Sequence, residues 1–171
     1  MSTIAEENIS VAERSVWEIL NGIPDPEVPA ISIVELGVVR GVSLSGNKVV
    51  VTMTPTYSGC PALKAMEEQI REELLKAGIQ EIEINMIYKP AWTTDWLSNE
   101  TKQKLKDYGI APPEKLTSDQ LYPTLKEKKP LQCPFCESMD TKLTSQFGST
   151  ACKALYFCNH CHQPFEHFKC H

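Results

Sequence analysis

The chain has 171 residues and a formal net charge of -5, with 42% hydrophobic and 23% charged residues. This composition is that of an ordinary folded protein and argues against intrinsic disorder. The acidic balance also argues against a nucleic-acid-binding protein, because contact with a phosphate backbone requires a concentrated basic face.

The start of the chain and its cysteines predict where the protein works. The first residues include Glu6 and Glu7 and lack the basic and apolar regions of a secretory signal. No apolar run approaches the roughly 20 residues of a membrane span, so we expect no membrane partner. We therefore predict a cytoplasmic protein whose seven cysteines are reduced thiols or metal ligands rather than disulfides.

The first segments alternate between helix and strand patterns. Apolar residues at helical spacing predict a helix over 11–20, with Ser10 as its N-cap. Three prolines within 23–30 exclude both helix and central strand and predict a rigid loop. Two β-branched runs, 38–44 and 48–54, flank a Ser-Gly-Asn turn and predict a hairpin.

The next segments complete a first domain. Pro61 begins a second predicted helix, which ends at Gly78, and residues 80–88 alternate as a half-buried strand does. The predicted apolar face of that helix consists of Leu63, Met66, Ile70 and Leu74. The order α-β-β-α-β predicts an α+β fold with a small, helix-covered mixed sheet. A short helix over 98–107 follows.

Composition then changes, and this change predicts the domain boundary. Prolines and a charged run over 109–131 are typical of a polar linker. We therefore predict a first domain over 1–108, a linker over 109–131 and a small C-terminal module over 132–171.

The C-terminal module carries two C-x2-C pairs, Cys133-Pro-Phe-Cys136 and Cys158-Asn-His-Cys161. Two such knuckles complete the tetrahedral sulfur shell of a closed structural zinc site. Runs over 141–147 and 153–157 predict a hairpin that carries the second knuckle, so the module is predicted to be a zinc ribbon. From 129 to 171 it holds four lysines against three acidic residues, which is too nearly neutral for a nucleic-acid reader.

Three alternatives remain open for these side chains. Iron fits the same sulfur shell, and sequence does not separate the two metals. Cys-Pro-Phe-Cys also resembles a glutaredoxin active site, although too few residues follow it for a thioredoxin-like unit. His160 or His162 could replace a cysteine as ligand, and the remaining surplus groups are His167, Cys170 and His171.

Cys60 is the lone cysteine of the first domain. It precedes Pro61 at the expected N-cap, where free N–H groups and the helix dipole favour a thiolate. Such a thiol can hold a metal or cluster transiently or attack a substrate, and the alternative is a buried, inert side chain. Asp25 and Glu27 are candidate ligands or acid/base groups beside it, or turn-forming carboxylates. This domain contains no histidine, so cysteine-histidine hydrolysis is disfavoured.

Two stretches carry a family resemblance. Residues 25–40 and Thr52-Met-Thr-Pro-Thr-Tyr-Ser-Gly-Cys-Pro61 resemble the signature of the SufT-like metal-sulfur cluster assembly family. Both knuckles, together with residues 147–156 and 164–169, resemble the PaaD family, the D components of the phenylacetate-degradation system.

The resemblance implies that Cys60 is the functional cysteine and Asp25 its loop acid. It further implies service to a multicomponent phenylacetyl-CoA epoxidase, whose partners here would be a di-iron oxygenase and a reductase carrying flavin and an iron–sulfur cluster. Cys152 lies in the family's Gly-Ser-Thr-x-Cys-Lys motif, which favours a functional thiol over a buried apolar one.

Whether the component is a maturation factor, a cluster carrier or a structural subunit stays open. A true enzyme acting through Cys60 is least favoured, because no base is visible. The expected cofactors are structural zinc and a transient iron or iron–sulfur cluster.

Overall fold

The computed structural model describes residues 11–57, 59–114 and 130–169. The chain forms two compact units, with the division between Trp92 and Thr93. The described residues contain three α-helices and two β-sheets, which confirms the α+β class. None of these helices is long and apolar enough to cross a membrane.

The first unit has the predicted order α-β-β-α-β. Its elements are α1 (Val11–Asn21), β1 (Val39–Ser45), β2 (Lys48–Met53), α2 (Ala62–Lys76) and β3 (Glu81–Met86). The sheet order is β1-β2-β3, antiparallel between β1 and β2 and parallel between β2 and β3. The predicted helices, hairpin and mixed sheet are therefore confirmed, while the predicted cap Ser10 lies outside the described residues.

The core of this unit follows the two periodicities. On β2 the side chains of Val49, Val51 and Met53 are buried, and their neighbours on the opposite face are half-buried. On α2 the buried residues are Ala62, Met66, Ile70 and Leu74. The prediction for this helix was wrong only at Leu63, which is half-buried, because Ala62 takes the inward position in the first turn.

The proline-rich loop between α1 and β1 is held by one buried carboxylate. Asp25 is 3% exposed, and its Oδ1 accepts hydrogen bonds from the N–H groups of Glu27 at 2.9 Å and Val28 at 2.6 Å. Its own N–H donates to the carbonyl of Ile31 at 2.9 Å. Since prolines remove donors from this segment, a single side chain is enough to satisfy the N–H groups at the turn.

The second unit holds a four-stranded sheet. Its elements are a 3-10 turn (Thr94–Trp96), α3 (Asn99–Asp107), β4 (Ile110–Ala111), β5 (Thr141–Ser145), β6 (Lys153–Cys158) and β7 (Pro164–Phe168). The sheet order is β4-β7-β6-β5, with β6 antiparallel to both neighbours and β4 parallel to β7. The predicted hairpin is β5–β6, and the sequence patterns did not indicate β4 or β7.

The domain boundary differs from the predicted one. Strand β4 pairs Ile110 with Glu166 and Ala111 with His167, so this segment belongs to the C-terminal sheet rather than to a linker. Helix α3, predicted to end the first domain, likewise lies in the second unit. A two-residue strand has no periodicity to read, and its partner is distant in sequence, so the local pattern did not reveal the pairing.

The Asp25 turn predicts a stability effect. Asp25→Ala would leave the N–H groups of Glu27 and Val28 without their acceptor, so we expect the free energy of unfolding to fall by about 1–3 kcal/mol. Chemical denaturation measures this loss. Asp25→Asn keeps an acceptor oxygen and should lose less; equal losses in the two variants would contradict this account of the turn.

Candidate metal centre and functional thiols

Four cysteine sulfur atoms converge in the second unit. The Sγ atoms of Cys133, Cys136, Cys158 and Cys161 all lie within 4.8 Å of one another. The Sγ atoms of Cys133 and Cys161 are 3.7 Å apart, and those of Cys136 and Cys158 are 3.6 Å apart. A zinc ion with bonds of about 2.3 Å to four sulfurs in a tetrahedron requires sulfur separations of about 3.8 Å. The cluster therefore fits a single tetrahedral metal ion.

The two knuckles have the same local backbone structure. In each, the residue after the second cysteine donates its N–H to the carbonyl of the first, Glu137 to Cys133 at 2.9 Å and His162 to Cys158 at 3.0 Å. Both residues are left-handed, with φ of 61° and 59°. This φ region is costly for a side-chain-bearing residue, so the repeated turn indicates that the sulfur cluster determines the backbone here.

Backbone amides and neighbouring sulfurs pull the thiol pKa values apart. The N–H of Cys161 lowers the pKa of Cys158 to about 7, assisted by the N–H of His160 and opposed by burial. At Cys136 the Ser138 amide favours the thiolate, but burial and the nearby sulfurs raise the pKa to about 12. Four thiolates so close together require a cation, and soft sulfur donors select zinc or iron.

The other side chains predicted near this centre lie outside the cluster. Among the described residues no histidine joins the four sulfurs, and His160 and His162 are exposed. The ring Nδ1 of His167 lies 3.2 Å from the carbonyl of Ala111. Cys170 and His171 lie outside the described residues.

Cys152 is buried in the loop between β5 and β6. Its Sγ lies 3.0 Å from the hydroxyl of Thr150, and its carbonyl accepts the N–H of Lys169 at 2.9 Å. The structure therefore shows a small side chain packed inside an ordered loop, and a functional role for this thiol stays a prediction.

An ion pair that the sequence analysis missed supports this loop. Lys153, with a side chain only 5% exposed, lies 2.9 Å from Glu166, and the other carboxylate oxygen of Glu166 accepts the N–H of Ser149 at 2.8 Å. A Cβ at Gly148 would lie 2.8 Å from that oxygen. Burial would raise the pKa of Glu166, but Lys153 and Ser149 hold it below its usual value. No local pattern separates such a lysine from a surface lysine.

Cys60 directly precedes the helical backbone of α2. Pro61 already has helical angles, with φ of -69° and ψ of -24°, and the helix continues from Ala62. The N–H of Cys60 donates to the carbonyl of Tyr57 at 3.3 Å, and the carbonyl of Cys60 accepts the N–H of Leu63 at 3.3 Å. The Cys60 residue is half-buried. It is therefore partly accessible at the start of a helix.

The sheet topology brings the loops that carry Cys60 and Asp25 to one edge. Strands β2 and β3 are parallel, so their carboxyl ends share an edge, and the antiparallel β1 begins there. The N–H of Thr54, which opens the Cys60 loop, donates to the carbonyl of Val38 at 2.9 Å, where the proline-rich loop ends. Asp25 uses its carboxylate within its own loop, and Glu27 is half-buried there. A ligand role for either acid stays a prediction.

Two family models match successive parts of the chain. Residues 13–85 match the family described as iron-sulfur cluster assembly protein. Residues 117–169 match the PaaD zinc beta ribbon domain, which contains all four clustered cysteines.

Known proteins are similar to the first part alone or to nearly the whole chain. A Staphylococcus aureus (strain USA300) protein named Fe-S protein maturation auxiliary factor SufT is 38% identical over 80 residues, covering 46% of this chain and 90% of that protein. The crystal structure of a domain of unknown function, DUF59, from Bacillus anthracis has a TM-score of 0.51 and 31% identity, covering 54% of this chain and 90% of that chain.

The widest of these similarities extends over both units. A protein of Escherichia coli (strain K12), assigned as the D component of 1,2-phenylacetyl-CoA epoxidase, is 41% identical over 170 residues, which are 99% of this chain and 98% of that protein. The chain therefore belongs to the PaaD family, with an iron–sulfur cluster assembly domain in its first unit and a zinc ribbon in its second.

Proposed function

We propose that this chain is an accessory component of a phenylacetyl-CoA epoxidase that matures the iron or iron–sulfur centres of the complex through Cys60. One observation carries the proposal: a chain similar over its whole length to the D component of an epoxidase also contains an iron–sulfur cluster assembly domain. The maturation factors similar to its first part support the same role. Its partners are the oxygenase and reductase components.

The position of Cys60 supports transient handling of iron. The first N–H groups of a helix have no partner within the helix, and they stabilise a thiolate in front of them. The thiolate is the form that binds iron. Resident iron–sulfur clusters commonly use four cysteine ligands, whereas Cys60 is the only cysteine before residue 133. One protein thiolate leaves the remaining positions on the iron open for exchange with a recipient.

The four-cysteine site has a separate, structural role in this proposal. Zinc supplies the cation that four neighbouring thiolates need, and four protein ligands leave no open position for a substrate. Cys133 and Cys158 lie within the hydrophobic core of the unit, beside Ala154, Tyr156 and Phe165. The ribbon is then a rigid, nearly neutral module suited to docking a protein partner.

A second candidate is a structural subunit whose thiols only support the fold. The commitment of the Asp25 carboxylate to its own turn favours this alternative, because it leaves one fewer acidic ligand for iron. Cys60 separates the two hypotheses, since only the first requires its thiol.

Metal analysis of the purified chain tests the zinc assignment. We expect about one zinc per chain by mass spectrometry of the metals, lost in Cys133→Ser and Cys158→Ser because each removes a ligand. Cys152→Ser is the matched control, since Cys152 is also buried in this unit but lies outside the cluster. Iron in place of zinc, or zinc retained after loss of a ligand, would contradict the assignment.

Co-expression with the epoxidase components tests the role of Cys60. In Cys60→Ser we expect the iron content of the oxygenase and reductase to fall to the level found without this chain, while the complex still assembles. Lys64→Ser is the control at the same end of α2, because its side chain is 86% exposed and carries no thiol. Normal iron content with loss of complex formation would overturn the maturation role and favour the structural alternative.

A further inference from the structure

The end of α3 packs against the first metal knuckle. Gly109 follows this helix with φ of +89°, and a Cβ built on it would lie 3.0 Å from the Cε1 and Cζ atoms of Phe135. Phe135 lies inside the knuckle, between Cys133 and Cys136. The ring therefore occupies space that only a glycine leaves free, and it must move if any side chain is placed there.

An ion pair joins the same helix to the same knuckle. Lys106 Nζ lies 2.6 Å from Glu137 Oε1, and Glu137 directly follows Cys136. The carboxylate is 66% exposed, so this pair by itself contributes little stability. Its significance is its position, because Glu137 is the left-handed residue that closes the knuckle turn.

A third contact reaches the core beside the sulfur atoms. Strand β4 pairs with β7 through Ile110 and Ala111. Ala111 belongs to the buried cluster that also contains Cys133 and Cys158. Residues 106–111 thus contact the knuckle, the core around two of the four sulfurs and the sheet that carries them.

We propose that the segment Asn99–Ala111, which comprises α3 and β4, is a metal-dependent part of the ribbon: metal binding orders this segment, and the segment in turn raises the affinity for the metal. The inference rests on the metal occupancy proposed above. The matched ribbon region begins only at residue 117, so this segment lies outside it.

The physical basis is the small size of the parts. Helix α3 has 9 residues, which is shorter than an isolated helix needs for stability in water. In small zinc modules metal binding supplies the folding free energy. Without a metal the knuckle turn loses its constraint, and α3 loses the surface formed by Phe135 and Glu137. Coupling between binding and order is reciprocal, so each must favour the other.

Hydrogen exchange on the full chain tests the first half of the proposal. We expect amides of α3 and β4 to lose protection when a chelator removes the metal, while amides of α2 keep theirs. Unchanged protection of residues 99–111 would overturn the inference. Loss of protection throughout the chain, α2 included, would also overturn it, because the metal would then stabilise the whole chain rather than this segment.

Two glycine variants test the reverse direction. Gly109→Val displaces the Phe135 ring, and we expect the zinc affinity, measured by competition with a coloured chelator, to fall at least about fivefold. Gly78→Val is the matched control. Gly78 also follows a helix, has φ of +88° and donates its N–H to a carbonyl three residues back at 2.9 Å, as Gly109 does, but nothing lies within 4 Å of its Cβ position.

Equal zinc affinities in the two variants would overturn the coupling. The stoichiometry of the unmodified chain separates this failure from that of the proposed metal site. If the unmodified chain binds no metal, both proposals fail. If it binds zinc normally and residues 99–111 do not respond to removal of the metal, only this inference fails.

Discussion

Mutual repulsion among four ionised thiols is the constraint on which the second unit depends. With sulfur separations of 3.6 and 3.7 Å, the ionised groups cannot share this space unless a cation lies between them. The wide difference in pKa between Cys136 and Cys158 expresses the same conflict. A metal ion removes the repulsion and joins two chain segments that are distant in sequence. The hairpin, β7 and the left-handed knuckle turns then follow from that junction.

The first unit is stabilised differently. Its core consists of aliphatic side chains from two helices and three strands, with Leu20, Ile70 and Val51 fully enclosed. No metal is needed to close this core, so its cysteine is not committed to the fold as a ligand. Cys60 lies in a loop at the carboxyl edge of the sheet, half-buried and next to the start of a helix. The chain thus separates thiols that hold a structure from a thiol available for chemistry.

Cys152 belongs to neither group. The surrounding loop is supported by the buried pair of Lys153 and Glu166 and by the space left at Gly148. Placing a charged pair at this depth costs desolvation free energy, which the hydrogen bond from Ser149 helps to offset. Such a pair contributes more to the specific shape of the loop than to overall stability. The shape of this loop, rather than the reactivity of its thiol, is what the structure explains.

The sequence by itself determined the elements whose signals are local. Period-2 and period-3.6 patterns located β2 and α2, and the C-x2-C spacing located both knuckles, because a tetrahedral site made of two such turns constrains sequence directly. The position of Cys60 before Pro61 was likewise a local inference. The tertiary structure decided what depends on distant partners. The pairing of β4 with β7, the ion pair of Lys153 with Glu166 and the contact of Gly109 with Phe135 each join residues that no short window contains, so only the folded chain assigns α3 to the metal-binding unit.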